Sequence, residues 1–335
     1  MAVALGTVAC GSSDAARDTK GQAAASTPMK LTVALPAIDA TAAEPAIGIA
    51  KGYYKNLGLD VQFTNSGSNI LAAVLSGQAD ISVSGLPGPL LPAAQGKNLK
   101  IIAEKNTPTS SVNIAAKPSL TSVDQCKSVA TTGVGTGLYN LTMYFQKAFN
   151  LNWTIKALSA PTDAVNLLLT GQVDCAVADL ALLNTVVEAG KVKLLVSAAS
   201  QTGLPPGFPS NLVGGVLYGL DDNLKAKKQA VVAFLTAWDQ AVTLMNNSLG
   251  DAAQAIHSVP NWDAQPADSI LAAIKAQQPG RWPGRGIIES SAWPAELAFL
   301  EAAGTSFPGG VNADIWSYDN RVDMSYLRAA INIQK

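Results

Sequence analysis

The sequence of 335 residues has few of the residues that metal sites and hydrolytic triads require. It contains one histidine, His257, and three cysteines, Cys10, Cys126 and Cys175, and none of these has the spacing of a zinc ligand set. A lone histidine without partners also argues against a Ser-His-Asp triad, so we interpret His257 as a half-exposed structural residue. No catalytic residue, metal ion or cofactor is predicted.

Charge is scarce as well, at 14% of the residues with a net charge of −1. No basic run is longer than Lys227-Lys228, which argues against a nucleic-acid partner because such partners require a positive surface. No apolar run reaches the roughly 18 residues of a membrane-spanning helix. Hydrophobic residues make up 48% of the chain, which is enough to fill the cores of two ordinary domains.

A short phrase near the amino end, Val8-Ala9-Cys10, resembles the lipobox of bacterial lipoproteins, in which the cysteine is lipidated. Thr7 stands where leucine is usual, and the positive segment of a signal peptide is missing. Residues 11–28 have no large apolar side chain, a composition typical of a flexible tether. We predict lipidation of Cys10, with residues 1–28 as signal remnant, lipobox and tether; the alternative is a disordered terminus with a free thiol.

One phrase occurs twice, as VLSGQADISVSG and as LLTGQVDCAVAD. The same offset separates Gly77 from Gly171 and Asp80 from Asp174. In both copies an apolar helical run ends at glycine and a short strand follows. We therefore predict the same helix–turn–strand step in two separate βα lobes.

Strand and helix patterns alternate over most of the chain, which favours right-handed βαβ units and an α/β fold. Strands are predicted at 31–35, 59–63, 80–84 and 99–104, and again at 128–133, 153–157, 175–178 and 192–197. Helices are predicted at 44–56, 70–76, 138–149, 162–170, 222–247, 251–259, 266–278 and 294–303.

Several phrases in this order resemble the nitrate/sulfonate/taurine class of substrate-binding proteins of ABC importers, over residues 30–200. They are EPAIGIAKGYYKNLGLDVQF, NSGSNILAAVLSGQADISVSGLPGPL, QGKNLKIIAE and PTDAVNLLLTGQVDCAVAD. The resemblance implies a periplasmic-binding-protein-like fold of type II, with mixed, mostly parallel sheets in two lobes around a ligand cleft. Lobe 1 would comprise residues 29–106 and 212–335, and lobe 2 residues 107–211, with crossings near 104–117 and 197–214.

The cleft is expected at the carboxyl ends of the strands, where polar turns offer backbone N–H groups, hydroxyls and close backbone approach. Asp39 and Asp179 do not suit a bare anion; each either caps a helix or faces an amino or hydroxyl group of the ligand. The candidate ligand-binding residues are Asp39, Thr41, Ser66, Gly67, Ser68, Ser84, Gly85, Leu86, Thr132, Gly133, Gly135, Thr136, Ser159 and Asp179.

The expected function is capture of a small organic anion outside the cytoplasmic membrane. Sulfonates, amino sulfonates and carboxylates, including aromatic ones, all remain open as ligands. The resemblance implies a permease and an ATPase as partners, and we expect a monomer held at the membrane through its lipid anchor. Two alternatives are a ligand-sensing domain and an enzyme similar to the thiamine-pyrimidine synthases of the same fold. The enzyme is disfavoured because the chain has no cysteine-rich iron-binding motif.

An exported chain occupies a compartment where disulfides persist, and Cys126 and Cys175 lie near the amino ends of two predicted strands. If those strands are neighbours, the two cysteines are close enough to be joined. We predict a Cys126–Cys175 disulfide, with two buried free thiols as the alternative.

Overall fold

Two five-stranded sheets organise the molecule in the computed structural model, which describes residues 27–107, 111–209, 212–278 and 280–332. The predicted lipidation site Cys10 lies outside the described residues. The first sheet has the order β2-β1-β3-β10-β4, with β1 Met29–Leu35, β2 Leu59–Asn65, β3 Ile81–Gly85, β4 Leu99–Asn106 and β10 Gly215–Leu220. The second has the order β7-β6-β8-β5-β9, with β5 Asn113–Ala116, β6 Ser128–Thr132, β7 Thr154–Leu158, β8 Cys175–Val177 and β9 Lys193–Ser197.

Each sheet contains one strand that runs against the others. Strand β10 is antiparallel to β3 and β4, and β5 is antiparallel to β8 and β9, whereas β1 and β6 pair with their neighbours in parallel. The mixed, mostly parallel fold class is thus confirmed.

Neither reversed strand was predicted, and the second group of strands was expected to begin at Ser128, although its sheet begins with β5. Both are short and almost wholly buried, so they lack the alternation that marks a half-buried strand. Strands of the first sheet come from residues 29–106 and 215–220, and those of the second from 113–197. The exact lobe boundaries stay a prediction.

Helices cover the faces of both sheets and make up most of the carboxy-terminal third. Their bounds are α1 Ala43–Ala50, α2 Tyr53–Asn56, α3 Ile70–Leu75, α4 Pro87–Leu90, α5 Gly137–Ala148, α6 Pro161–Leu169, α7 Leu180–Glu188, α8 Asp221–Ala226, α9 Lys228–Asn247, α10 Leu249–His257, α11 Ala267–Gln277, α12 Trp293–Ala302, α13 Tyr318–Arg321 and α14 Ser325–Ala330.

Two helices expected to be continuous are interrupted. The helix predicted at 44–56 breaks at Gly52, whose φ of 69° is left-handed and ends α1. The helix predicted at 222–247 breaks at Lys227, whose backbone leaves the helical region. The apolar face of α9 is buried as the spacing indicates, with Phe234 and Trp238 fully enclosed. Trp238 contacts Phe234 edge-on, so the aromatic residues of this helix belong to the core.

Each copy of the repeated phrase contains an aspartate directly before the central strand of its sheet, and this aspartate fastens the central strand to its neighbour. The backbone N–H of Thr32 in β1 donates to Asp80 Oδ2 at 2.9 Å, and that of Ser128 in β6 donates to Asp174 Oδ2 at 3.0 Å. In return the N–H groups of Asp80 and Asp174 donate to the carbonyls of Thr32 and Ser128. The repeat is therefore a structural device at the amino ends of the strands.

A lysine completes each of these contacts. Lys227 Nζ lies 2.7 Å from Asp80 Oδ2, and Lys117 Nζ lies 3.0 Å from Asp174 Oδ1. Burial raises the pKa of Asp174, but hydrogen bonds from Lys117, Ser128 and Lys127 outweigh it and lower the pKa from 3.8 to about 2. The ionised carboxylate therefore stabilises the folded state.

Cys126 and Cys175 form a disulfide, with their Cα atoms 5.9 Å apart. Strands β6 and β8 are parallel neighbours, with Val129 opposite Cys175. The bond thus joins the segment before β6 to the first residue of β8, next to the hydrogen bonds between Asp174 and Ser128.

The Asp174→Asn variant should be less stable than the wild type by about 1–2 kcal/mol at pH 7, because an amide binds the two backbone N–H groups and Lys117 less strongly. A depressed carboxyl pKa stabilises the fold above pH 3.8 and loses that effect as the pH falls through about 2. Urea unfolding at pH 7 and pH 2 measures the difference, which should shrink at the lower pH. Asp60→Asn, at an exposed position on β2, is the control and should change stability little.

Candidate functional site

A cavity of about 170 Å³ lies between the two sheets, at the carboxyl ends of their parallel strands. The first sheet contributes the turns after β1, β2 and β3, the end of β4 and the start of β10. The second contributes the turns after β6, β7 and β8. An open-sheet protein places its ligand at this edge, because strands end there in turns with unpaired backbone groups.

Most of the sequence-predicted site residues line this cavity. They are Thr41, Gly67, Ser68, Ser84, Gly85, Leu86, Thr132, Thr136, Ser159 and Asp179. Asp39, Ser66, Gly133 and Gly135 are not part of the lining.

The four residues outside the lining have other surroundings. Asp39 caps a short 3₁₀ turn, accepting hydrogen bonds from Thr41 N at 2.8 Å and Thr41 Oγ1 at 2.6 Å. This is the capping alternative of the two that its sequence position left open. Gly133 and Gly135 lie where the lobes approach each other: a Cβ on Gly135 would be 3.3 Å from Leu91 Cδ1.

Helix α5 begins at the cavity with a capped N-terminus. Thr136 Oγ1 accepts from Tyr139 N at 3.2 Å and donates to the carbonyl of Gly133 at 2.8 Å. Its hydroxyl is therefore occupied within the protein. In the first lobe the expected helix start is a 3₁₀ turn over residues 67–69, and the Ser66 side chain caps nothing there. A helix start with a side-chain cap is thus found at α5 of lobe 2, whereas α3 of lobe 1 begins at Ile70 after the 3₁₀ turn, without a side-chain cap.

Two serines from opposite lobes have hydroxyl groups available for a ligand. Ser68 and Ser159 both line the cavity, both are exposed, and neither hydroxyl is bonded within the described part of the protein. The lobes meet here, since a Cβ on Gly67 would lie 3.6 Å from the carbonyl of Ser159. Ser68 and Ser159 can therefore bind one ligand from two sides.

The charged side chains of the lining are Lys105, Asp179 and Glu296, and no arginine is among the described lining residues. Lys105 Nζ donates to the carbonyl of Thr41. Burial raises the pKa of Asp179, against the lowering effects of a hydrogen bond from Ser111 and of the charge on Lys105. The cavity is therefore not a strongly positive pocket.

Sequence reasoning missed the wall contributed by the carboxy-terminal helices. Glu296, Phe299 and Leu300 of α12 and Gln277 of α11 line the cavity. Phe299 packs against Tyr144 of α5, with ring centroids 4.7 Å apart. No local signal marks these positions, because α12 reads as an ordinary helix and only tertiary folding brings it to the cleft.

The lobes are closed over the cavity in this structure. A Cβ on Gly85 of β3 would lie 2.5 Å from Gly137 Cα, so only glycine allows the two backbones to approach this closely. Asn140 of α5 also lines the cavity, and its Nδ2 donates to Thr305 Oγ1 at 2.7 Å across the lobes. Ala181 of α7 packs with Ala40 and Ala273 of the first lobe.

Comparisons with known proteins agree with this geometry. The family model described as NMT1/THI5 like matches residues 44–248. A comparison with curated protein sequences found no match. Among solved structures, a protein from Bordetella bronchiseptica RB50 is similar with a TM-score of 0.72 and 20% identity, over 91% of this chain and 98% of the other.

Two similar structures carry functional names. The nitrate-binding protein NrtA from Synechocystis PCC 6803 has a TM-score of 0.72 and 13% identity, over 92% of this chain and 89% of its own. The alkanesulfonate-binding protein SsuA from Xanthomonas axonopodis pv. citri has a TM-score of 0.65 and 17% identity, over 81% of this chain and 91% of its own. The chain thus has the periplasmic-binding-protein fold that the sequence analysis expected. Within its described residues, no helix combines the length and apolarity needed to cross a membrane.

Gly85→Ala should hold the lobes apart, because its methyl group would clash with the backbone of Gly137. Moving the backbone of either β3 or α5 to relieve this clash would cost free energy. Small-angle scattering should show a larger radius of gyration for this variant than for the wild type. Gly133→Ala is the matched control, since a Cβ there meets only ordinary contacts at 3.7 Å and 3.8 Å. Equal radii for all three proteins would contradict the closed Gly85–Gly137 contact.

Proposed function

This chain belongs to the NMT1/THI5-like family, and from that premise we propose that it is the extracytoplasmic solute-binding protein of an ABC importer. The observation that carries the proposal is a cavity enclosed by both lobes, with free hydroxyls and an apolar wall. Similar structures include a nitrate-binding and an alkanesulfonate-binding protein, which supports the same role here.

Binding without reaction fits the residues around the cavity better than catalysis does. An enzyme similar to the thiamine-pyrimidine synthases requires a reactive histidine at the cleft. His257, the only histidine of the chain, is the last residue of α10 and does not line the cavity. The role of His257 as a structural residue at a helix end is consistent with this position.

The ligand we propose is a small organic anion: a sulfonate, an amino sulfonate or a carboxylate, including aromatic ones. A cavity of about 170 Å³ is close to the roughly 150 Å³ that holds a benzene molecule, so a ring-sized ligand fits. Phe299, Leu300, Leu138 and Leu141 supply apolar contact for its carbon skeleton. Backbone N–H groups at the start of α5 and the Ser68 and Ser159 hydroxyls are donors for its oxygens.

We propose that a permease recognises the closed conformation of the two lobes. Ligand contacts from both lobes are complete only in the closed form, so a ligand shifts the open–closed equilibrium toward closure. A permease and its ATPase are the proposed partners, and the binding protein acts as a monomer of two lobes, 29–106 with 212–335 and 107–211.

A thermal-shift screen tests the proposal directly. The panel contains nitrate, aliphatic sulfonates, amino sulfonates, and aliphatic and aromatic carboxylates, with calorimetry on every compound that raises the melting temperature. The expected result is saturable binding of one class without chemical change of the compound. Turnover of a bound compound, or no stabilisation by any member, would contradict the proposed function.

Ser68→Ala and Ser159→Ala should each weaken binding of the best screen compound about ten- to a hundredfold, because a hydroxyl bonded to a charged group contributes roughly 1.5–3 kcal/mol. Neither variant should change the melting temperature without ligand, since neither hydroxyl is bonded within the described protein. Thr136→Ala should instead lower the melting temperature of the unliganded protein, because it removes the cap of α5. Ser66→Ala, just outside the lining, is the control and should leave affinity unchanged.

We also propose that Cys10 carries a lipid that anchors the protein to the membrane, on the strength of its lipobox-like context. Two acyl chains at such a site hold a protein stably at a bilayer, whereas one chain does not. The gene expressed with its upstream codons should yield wild-type protein in the membrane fraction and Cys10→Ala protein in the soluble fraction. Equal partitioning of the two proteins would refute the anchor.

A further inference from the structure

Two buried carboxyl groups share one short backbone segment at the edge of the cavity. Glu296 of α12 lines the cavity and is 2% exposed, and Glu104 of β4 is 6% exposed. The backbone N–H of Val213 donates to Glu296 Oε2 at 2.8 Å, and that of the next residue, Gly214, donates to the carbonyl of Asn106, which lies two residues beyond Glu104. The backbone of Gly214 lowers the pKa of Glu104, and the charge on Glu104 raises the pKa of Glu296, so the two acids lie near each other.

Neither acid has a counter-ion in the part of the chain that the structure describes. Arg281, which is also buried, lies 2.8 Å from Glu44 Oε1, and Lys105 Nζ donates to the carbonyl of Thr41. Glu104 Oε1 has no hydrogen-bond partner among the described atoms. Two buried carboxylates without a cation are too costly to ionise together, so protons remain on the pair.

Their titration follows from these surroundings. Burial and, to a smaller extent, the charge on Glu104 raise the pKa of Glu296 to about 8, against the hydrogen bond from Val213. Burial raises the pKa of Glu104 to about 8 as well, against the hydrogen bond from Gly214. Lys105 and Asp179 are the other ionisable groups of the lining, and Glu301, also on α12, is exposed.

We propose that Glu296 meets the ligand as a neutral carboxylic acid, donating a hydrogen bond to an oxygen of a ring-sized organic anion. Its O–H is a donor that a carboxylate cannot offer, so Glu296 attracts the anion that its charged form would repel. Phe299 and Leu300 of the same helix pack against the ring. This wall lies outside residues 44–248, the part that the family model matches.

The inference has two halves. The proton half, that Glu296 is protonated at neutral pH, depends on the protein alone. The ligand half, that Glu296 donates a hydrogen bond to an organic anion, rests on the proposed function. A carboxyl whose pKa is raised by folding stabilises the fold fully below pH 4.5, and loses that effect as the pH rises through about 8. Each such proton makes the unfolding equilibrium constant rise about tenfold per pH unit within that window.

Urea unfolding of the full chain between pH 5 and pH 8 measures this slope. Glu296→Gln should reduce it by about tenfold per pH unit, because the amide carries no proton to lose. Glu301→Gln changes the same residue type at an exposed site of α12 and should keep the wild-type slope. The same slope in Glu296→Gln and wild type would overturn the proton half, whether or not any compound binds.

Carbon-13 NMR of the Glu296 carboxyl gives an independent readout. Its titration midpoint should lie near pH 8 and should fall in Glu104→Gln, because the neighbouring charge is removed. A midpoint near the ordinary 4.5 would overturn the inference.

Benzoate is the probe for the ligand half, since it combines a ring with one oxyanion. It should raise the melting temperature of the wild type more at pH 6.5 than at pH 9.5, and that of Glu296→Gln equally at both. No effect of benzoate on the wild type at either pH, or an equal effect at both, would overturn the ligand half while leaving the proton half intact. Failure of the whole screen would instead count against the proposed function.

Discussion

The contact between the aspartate that precedes the central strand of each sheet and the neighbouring strand is the constraint on which the cleft depends. Asp80 and Asp174 directly precede β3 and β8, and they bind the backbone of Thr32 within β1 and of Ser128 at the amino end of β6. Each fixes the register of β3 or β8 against that strand. Because a strand's register sets where it ends, the contacts of these two aspartates determine which residues reach the carboxyl ends of the strands, where the cavity lies.

The division of tasks along each strand follows from this arrangement. The amino ends carry the charged and covalent fastenings: a lysine on each aspartate and, in the second lobe, the Cys126–Cys175 bond. The carboxyl ends carry glycine, serine and threonine, which leave room and unpaired donors for a ligand. The charged and covalent fastenings thus lie at the opposite end of the strands from the cavity.

The electrostatics of the cleft differ from those expected for a simple anion pocket. Lys105 is its single cation among the described lining residues, and it shares the space with Asp179 and Glu296. The potential there depends on whether the acids hold protons, which burial decides. A cavity of this kind offers a ligand hydrogen bonds and an apolar wall rather than a strong positive charge.

The sequence by itself determined the alternation of strands and helices, the duplicated helix–turn–strand step and ten of the residues at the cleft, such as Ser68, Thr132 and Ser159. These follow from local periodicity and from turn chemistry at strand ends, and both are encoded over a few neighbouring residues. Tertiary structure alone decided that β5 and β10 insert antiparallel into the sheets. It also decided that the hydroxyl of Thr136 caps α5 and that α12 brings Glu296 to the cavity. Those features depend on contacts between residues far apart in the chain, such as Val213 with Glu296, for which no local pattern exists.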